Sequence, residues 1–138
     1  MRIYQLKKLH VLNTSNESRI GDVAEFLFDA RAVQKSFIVN RPIHAGTIYD
    51  RVVECNGKFS KVQIKCSTKD NKSGGVNIVL KRNNNQPYPV EMVDVFAVYV
   101  LPWDAWYLFK NEGQNSLYIT KKKWKDNLEN WNIFYETV

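Results

Sequence analysis

Ile48-Tyr49-Asp50-Arg51-Val52-Val53-Glu54-Cys55-Asn56-Gly57-Lys58-Phe59-Ser60-Lys61-Val62-Gln63-Ile64-Lys65-Cys66-Ser67 reads as a β-hairpin. Ile48 to Cys55 alternates and is rich in β-formers, Asn56-Gly57 is the favoured two-residue turn, and Lys58 to Ser67 alternates again. With Asn56 and Gly57 as the loop, Cys55 pairs with Lys58 and Asp50 stands opposite Gln63. Side chains two apart share a face, so Lys65 projects from the same side, one pair further along. A carboxylate, an amide oxygen and an ammonium thus converge at one end of a rigid hairpin, a set suited to a magnesium ion and a phosphate. The bland alternative is that the three are a solvated face.

Outward from the hairpin, Thr14-Ser15-Asn16-Glu17-Ser18 is a capping cluster, and a helix is expected from Glu17 to Lys35. Ile20, Val23, Ala24, Leu27, Ala30, Ala32 and Val33 supply its apolar stripe, with Arg19, Asp22, Asp29 and Arg31 mostly outside. Arg2 to Leu12 reads either as a short helix or as the start of a strand. Phe37 to Asn40 reads as a first strand, and the hairpin supplies two more. Ser67 to Gly75 is a polar loop, Val76 to Arg82 a further strand, and Asn83-Asn84-Asn85-Gln86-Pro87 a loop. Val95 to Leu101 is a continuous apolar run, as expected of a strand covered on both faces. After a turn at Trp103-Asp104, Ala105 to Phe109 is its partner and Ser116 to Thr120 an edge strand. Lys122 to Trp131 reads as a terminal helix, with Trp124, Leu128 and Trp131 at i, i+4 and i+7. A helix, then mostly strands, then a helix implies an α/β sandwich or α+β sheet with helices packed on it. No linker or repeat divides residues 1–138, so one domain is expected.

The chain has 138 residues, a 44% hydrophobic share, four tryptophans, seven tyrosines and seven phenylalanines, enough for a sizeable core. Its net charge of +6 is unevenly spread: Lys58 to Arg82 holds seven basic residues and one acidic, Asp70. Such a stripe favours a polyanionic partner through local potential and counterion release. Lys69, Lys72, Lys81 and Arg82 are candidate phosphate contacts, with His44 and Thr47 on the loop entering the acidic strand. Lys121-Lys122-Lys123 with Lys125 is either a second contact patch or a basic helix start. Trp103, Trp106, Trp124 and Trp131 read as core or subunit-interface anchors. Asp94 reads as a turn cap, and Asp22 as a partner of the helix dipole.

Cys55 and Cys66 lie on the hairpin face opposite Asp50, eight residues apart along the ladder. At roughly 3.3 Å per residue that separation far exceeds the reach of a disulfide, so buried free thiols are expected. Reduced thiols fit a cytoplasmic setting, the interior of a bacterium, phage-infected cell or organelle. No signal peptide and no apolar run near the roughly 18 residues of a membrane span is present. His10 and His44 are too few and too scattered for a zinc cluster.

Three segments together carry a resemblance: Gly21-Asp22-Val23-Ala24-Glu25 on the first helix, Pro42 through Tyr49-Asp50, and Val62-Gln63-Ile64-Lys65. Their order and spacing resemble the PD-(D/E)XK nucleases, in particular the small group containing intron-encoded homing endonucleases. Val93 to Tyr99 and Trp106 to Leu108 also look like that group's downstream strands, so the likeness covers roughly Ile20 to Lys110. The superfamily has Asp or Glu where this chain has Gln63, which brings one fewer negative charge to the site. The homing subgroup is similar in carrying glutamine there.

The resemblance implies a restriction-endonuclease-like mixed sheet flanked by helices and metal-dependent hydrolysis of DNA phosphodiesters. Asp50, the Gln63 amide oxygen and the Ile64 main-chain carbonyl would hold Mg²⁺, with Mn²⁺ able to stand in. Lys65 would orient or help deprotonate the attacking water, and Glu25 would hold a second metal or orient water. A site-specific homing-type endonuclease acting on double-stranded DNA is the leading expectation. A Holliday-junction-type nuclease and a non-catalytic nucleic-acid-binding protein with the same fold are the alternatives. One active site per chain against two strands of duplex implies a homodimer, or a homotetramer on a long target.

Overall fold

A computed structural model describes residues 16–69 and 74–136. The reading of Arg2 to Leu12, the caps Thr14 and Ser15, and candidate contact Lys72 lie outside the described residues. Helix α1 runs Glu17–Gln34, opened by Asn16, whose side chain accepts from the Ser18 and Arg19 amides. Strands β1 (Ile38–Asn40), β2 (Arg51–Cys55) and β3 (Lys58–Ser67) follow, then β4 (Gly75–Val79), β5 (Val95–Val100), β6 (Ala105–Lys110) and β7 (Ser116–Thr120). A one-turn helix, α2 (Ile133–Glu136), ends the described chain. The main sheet has the order β1-β2-β3-β5-β6; only the β3–β5 pairing within it is parallel, while β4 and β7 form a separate antiparallel pair.

The hairpin register is the expected one, with Cys55 opposite Lys58 and Arg51 opposite Val62. Asn56 and Gly57 both take positive φ, 51° and 77°, as a two-residue turn matched to strand twist requires. Regular pairing of β2 starts at Arg51 rather than Ile48. Just outside it, the Asp50 amide still donates to the Val62 carbonyl at 2.8 Å. Cys55 and Cys66 are both free thiols.

The alternation of β3 sorts two cores. Val62 and Ile64 face one side, where α1 and α2 bring Ala24, Phe28, Ala32, Ile133 and Phe134 onto Val95, Ala97, Trp106 and Leu108. On the other side Phe96, Val98, Tyr107 and Phe109 meet Val76 and Ile78 of β4 and Leu117 and Ile119 of β7. All six residues of β5 are therefore buried, as its apolar run foretold. On α1 the stripe is rotated from the expected one. Phe28 is its centre, against Trp106 and Trp131 at 5.6 and 5.4 Å between ring centroids, while Ala30 and Val33 are exposed.

The expected helix over Lys122 to Trp131 does not form. Lys125–Asn127 makes a single 3₁₀ turn and Glu129 adopts φ 49°. The reason lies in where the aromatic rings pack. Trp124 packs edge-on to Phe109 on the β4–β7 side, whereas Trp131 packs against Phe28 on the helical side. One helix face cannot serve both layers, so the chain unwinds to pass around β6, bridging Tyr107 through Leu128. All four tryptophans belong to, or pack against, these cores.

Candidate active site

Asp50, Gln63 and Lys65 line one open cleft of ≈ 540 Å³, together with Gly46, Thr47 and Ile48 from the preceding loop and Arg82, Asn83, Asn84 and Tyr88 from the segment after β4. The hairpin accounts for the first three. Gln63 and Lys65 alternate with the buried Val62 and Ile64, so they leave the sheet on the side away from α1. Asp50 joins them from the ladder position opposite Gln63. Its Oδ2 accepts from the Ile64 amide at 2.8 Å, which fixes the carboxylate against β3. Burial raises the Asp50 pKa above the ordinary carboxylate value, against the lowering effects of that amide, of Arg51 and of Lys65.

Lys65 is itself held. Its Nζ donates to the Tyr88 hydroxyl at 2.9 Å and lies 4.9 Å from the Tyr88 ring centroid. Tyr88 is buried, edge-on to Phe96. Its carbonyl accepts from the buried Asn111 side chain at 3.0 Å, and the same amide also reaches Pro89 and Val93.

Glu25 stands on the other side of the hairpin, outside the cleft lining. It accepts from Arg51 at 2.9 Å. Arg51 is 2% exposed. Its guanidinium also grips Asp29 in a two-point contact at 2.7 and 3.0 Å and donates to the Asp50 carbonyl at 2.8 Å. Burial, then repulsion from Asp50, raises the Glu25 pKa, opposed by Arg51. Glu25 is thus coupled to Asp50 electrostatically, through an arginine that touches both residues.

Of the candidate DNA contacts, Thr47 and Arg82 line the cleft. Thr47 donates to the Tyr49 carbonyl at 3.0 Å. His44 is exposed on the same loop, with Nδ1 3.0 Å from the Ala45 carbonyl, but is not part of the lining. Lys69 lines a different cavity, beside Glu17, Cys66 and Val79, and Lys81 bridges Pro87 outside the cleft. The Asp94 side chain accepts from the Lys61 amide at 2.7 Å and its own amide donates to the Lys61 carbonyl at 2.8 Å, tying the start of β5 to β3.

Sequence reasoning missed Arg51, Tyr88 and the asparagine loop. Two signals were present. Arg51 is a charge at an inward-facing strand position, which demands buried partners. Tyr88 is an aromatic held between two prolines in a polar segment.

The cleft's donors fit a hard divalent cation. They are side-chain oxygens, a half-buried carboxylate whose desolvation is not fully offset by its neighbours and a neutral amide; Ile64, whose amide anchors that carboxylate, is not part of this lining and borders the cavity beside Lys69. Among the described residues no three His, Cys, Asp or Glu side chains gather into a group that could hold a metal ion. No helix among the described residues is long and apolar enough to cross a membrane.

A family model described as PD-(D/E)XK endonuclease matches residues 15–130. A comparison with curated proteins finds no match. Among solved structures, a bacterial homing endonuclease superposes with a TM-score of 0.76 at 23% identity, over 88% of this chain and 95% of that one. A Holliday junction resolvase from the archaeal hyperthermophile Archaeoglobus fulgidus superposes at 0.57 and 14% identity, over 83% and 95%. The shared architecture is the restriction-endonuclease-like mixed sheet flanked by helices.

Proposed function

This chain belongs to the PD-(D/E)XK endonuclease family, and on that premise we propose that it is a Mg²⁺-dependent, site-specific endonuclease of double-stranded DNA, of the homing type. The observation that carries the reading is the meeting of Asp50, Gln63 and Lys65 in one cleft, rimmed by Arg82 and Thr47 and lined by few apolar groups. Asp50, the Gln63 amide oxygen and the Ile64 carbonyl would hold the ion. When bound, it supplies Lewis-acid polarisation of the phosphate and a lowered pKa of its water.

The protein's own groups do the rest. Lys65, a cation fixed beside Asp50, offsets the charge that builds on the phosphoryl oxygens and orients the attacking water. The water oxygen bonds to phosphorus in line with the leaving oxygen and the P–O3′ bond breaks. A proton ends on the 3′ oxygen, leaving a 5′ phosphate and a 3′ hydroxyl. Glu25, kept in reach of Asp50 by Arg51, is the reserve carboxylate for a second ion or an ordered water. Arg82 and Thr47 contact phosphates at the cleft mouth. Two copies related by a two-fold axis, or two such pairs, cut both strands.

The test is incubation of plasmid and genomic DNA with the protein and Mg²⁺, read by end sequencing. Recurrent double-strand ends bearing 5′ phosphates at one sequence are expected. Cutting confined to four-way junctions would assign a resolvase, and metal-independent binding without any nick would assign a non-catalytic DNA-binding protein.

A further inference from the structure

We infer that Tyr88 is a positioning residue for Lys65: its hydroxyl fixes the ammonium in the cleft beside Asp50 and Gln63. For its catalytic consequence the inference rests on the role given to Lys65 above; for the contact itself it does not. A lysine side chain has four rotatable bonds and a strongly hydrated head, so an unrestrained one would sweep the cleft mouth at an entropic cost to any ordered encounter. Here one of its three N–H donors is taken by the Tyr88 hydroxyl at 2.9 Å, and two stay available for a phosphate oxygen and a water. The ring, 4.9 Å from Nζ, adds an attraction that needs no hydroxyl.

What makes the tyrosine a fixed post is the structure behind it. Pro87 and Pro89 restrict the backbone on either side. Lys81 bridges Pro87, closing the asparagine loop in which Arg82 accepts from Asn85 and donates to Gln86. Asn111, 5% exposed, spends its side-chain amide on the carbonyls of Tyr88, Pro89 and Val93. Phe96 meets the ring edge-on at 5.6 Å. Phe96 is also the β5 residue paired with Gln63, so the tyrosine and the hairpin site are set by the same rung of the sheet.

Tyr88→Phe removes the hydroxyl and keeps the ring, its packing on Phe96 and the cation–π contact. Two readouts are needed, the first on metal-free protein. An ¹H–¹⁵N correlation of the lysine ammonium groups at low temperature should show a protected Lys65 signal, assigned by its loss in Lys65→Ala. That signal should vanish in Tyr88→Phe while the melting temperature stays within a few degrees. Persistence of the signal in Tyr88→Phe overturns the inference. The second readout is cleavage at saturating Mg²⁺. In Tyr88→Phe kcat should fall roughly 10- to 100-fold, the worth of one hydrogen bond to a charged group, with KM for DNA within about twofold of wild type. Unchanged kcat beside an active wild type overturns the positioning role. If the wild type cuts no DNA, the nuclease proposal fails, and the ammonium signal alone decides the Tyr88 contact.

Discussion

Asp50 and Arg51 are neighbours in the chain, yet they face opposite sides of one hairpin and meet opposite fates. Arg51 points toward α1, where Asp29, Glu25 and the Asp50 carbonyl take four of its guanidinium's hydrogen bonds. Asp50 points into the open cleft, where one backbone amide and two nearby cations leave its burial only partly compensated. The Arg51 cluster ties α1 to the start of β2 and so holds the architecture together. Asp50, its burial only partly compensated in an open cleft, is the carboxylate to which the proposed function assigns the cation. Adjacent residues thus divide between the fold and the proposed chemistry, because strand alternation sends them to different layers.

The sharpest way to break this comparison is to remove the cleft-side groups. Asp50→Ala and Lys65→Ala should each lower the cleavage rate on the order of 10²- to 10³-fold, while DNA affinity, measured by fluorescence anisotropy in Ca²⁺, changes only a few-fold. Wild-type turnover by either variant would dismantle the site. On the closed face the order of effects should invert. Arg51→Met strands Asp29 and Glu25 and should cost roughly 3–5 kcal/mol of stability in urea unfolding. A loss under about 1 kcal/mol, the range of a surface pair, would show that the cluster is dispensable.

The third test concerns pH. Cys66 lies on the closed face of β3, and burial pushes its thiol from the ordinary 9.0 up to about 11. The folded state therefore keeps the proton that the unfolded chain releases near pH 9. The contribution is complete below that value and is lost as pH rises through 11, up to about 2–3 kcal/mol. Urea midpoints followed from pH 8 to 11 should fall more steeply for wild type than for Cys66→Ala. Burial also raises the Tyr99 and Tyr107 hydroxyls; the Tyr107 slope is common to both proteins, whereas Tyr99, raised in part by Cys66 itself, enters the difference together with the thiol. Parallel curves would show that Cys66 is open to water.

The hairpin is legible in the sequence because its determinants are local. Asn56-Gly57 sets the turn, the turn sets the register, and the period of two places Gln63 and Lys65 on one side. The apolar run of β5 was equally plain, since a strand covered on both faces cannot tolerate polar positions. The terminal segment misled for the same kind of reason. Trp124, Leu128 and Trp131 have helical spacing, but their packing partners lie on two different layers, and spacing carries no information about which layer a ring will reach. Arg51 could have been flagged as a buried charge; its two carboxylates, 22 and 26 residues earlier, could not have been named from the strand alone.

What the amino-acid order determined by itself was the ribbon, its pairing and the side of it on which an acid, an amide and an amine emerge, since these follow from backbone sterics and neighbouring residues. Tertiary structure alone decided which groups surround them: the arginine that joins Glu25 to the Asp50 strand, and the tyrosine that steadies Lys65 from 23 residues away. Those contacts exist only once two cores have closed on either face of the sheet, because burial, not sequence distance, selects the partner of a charge.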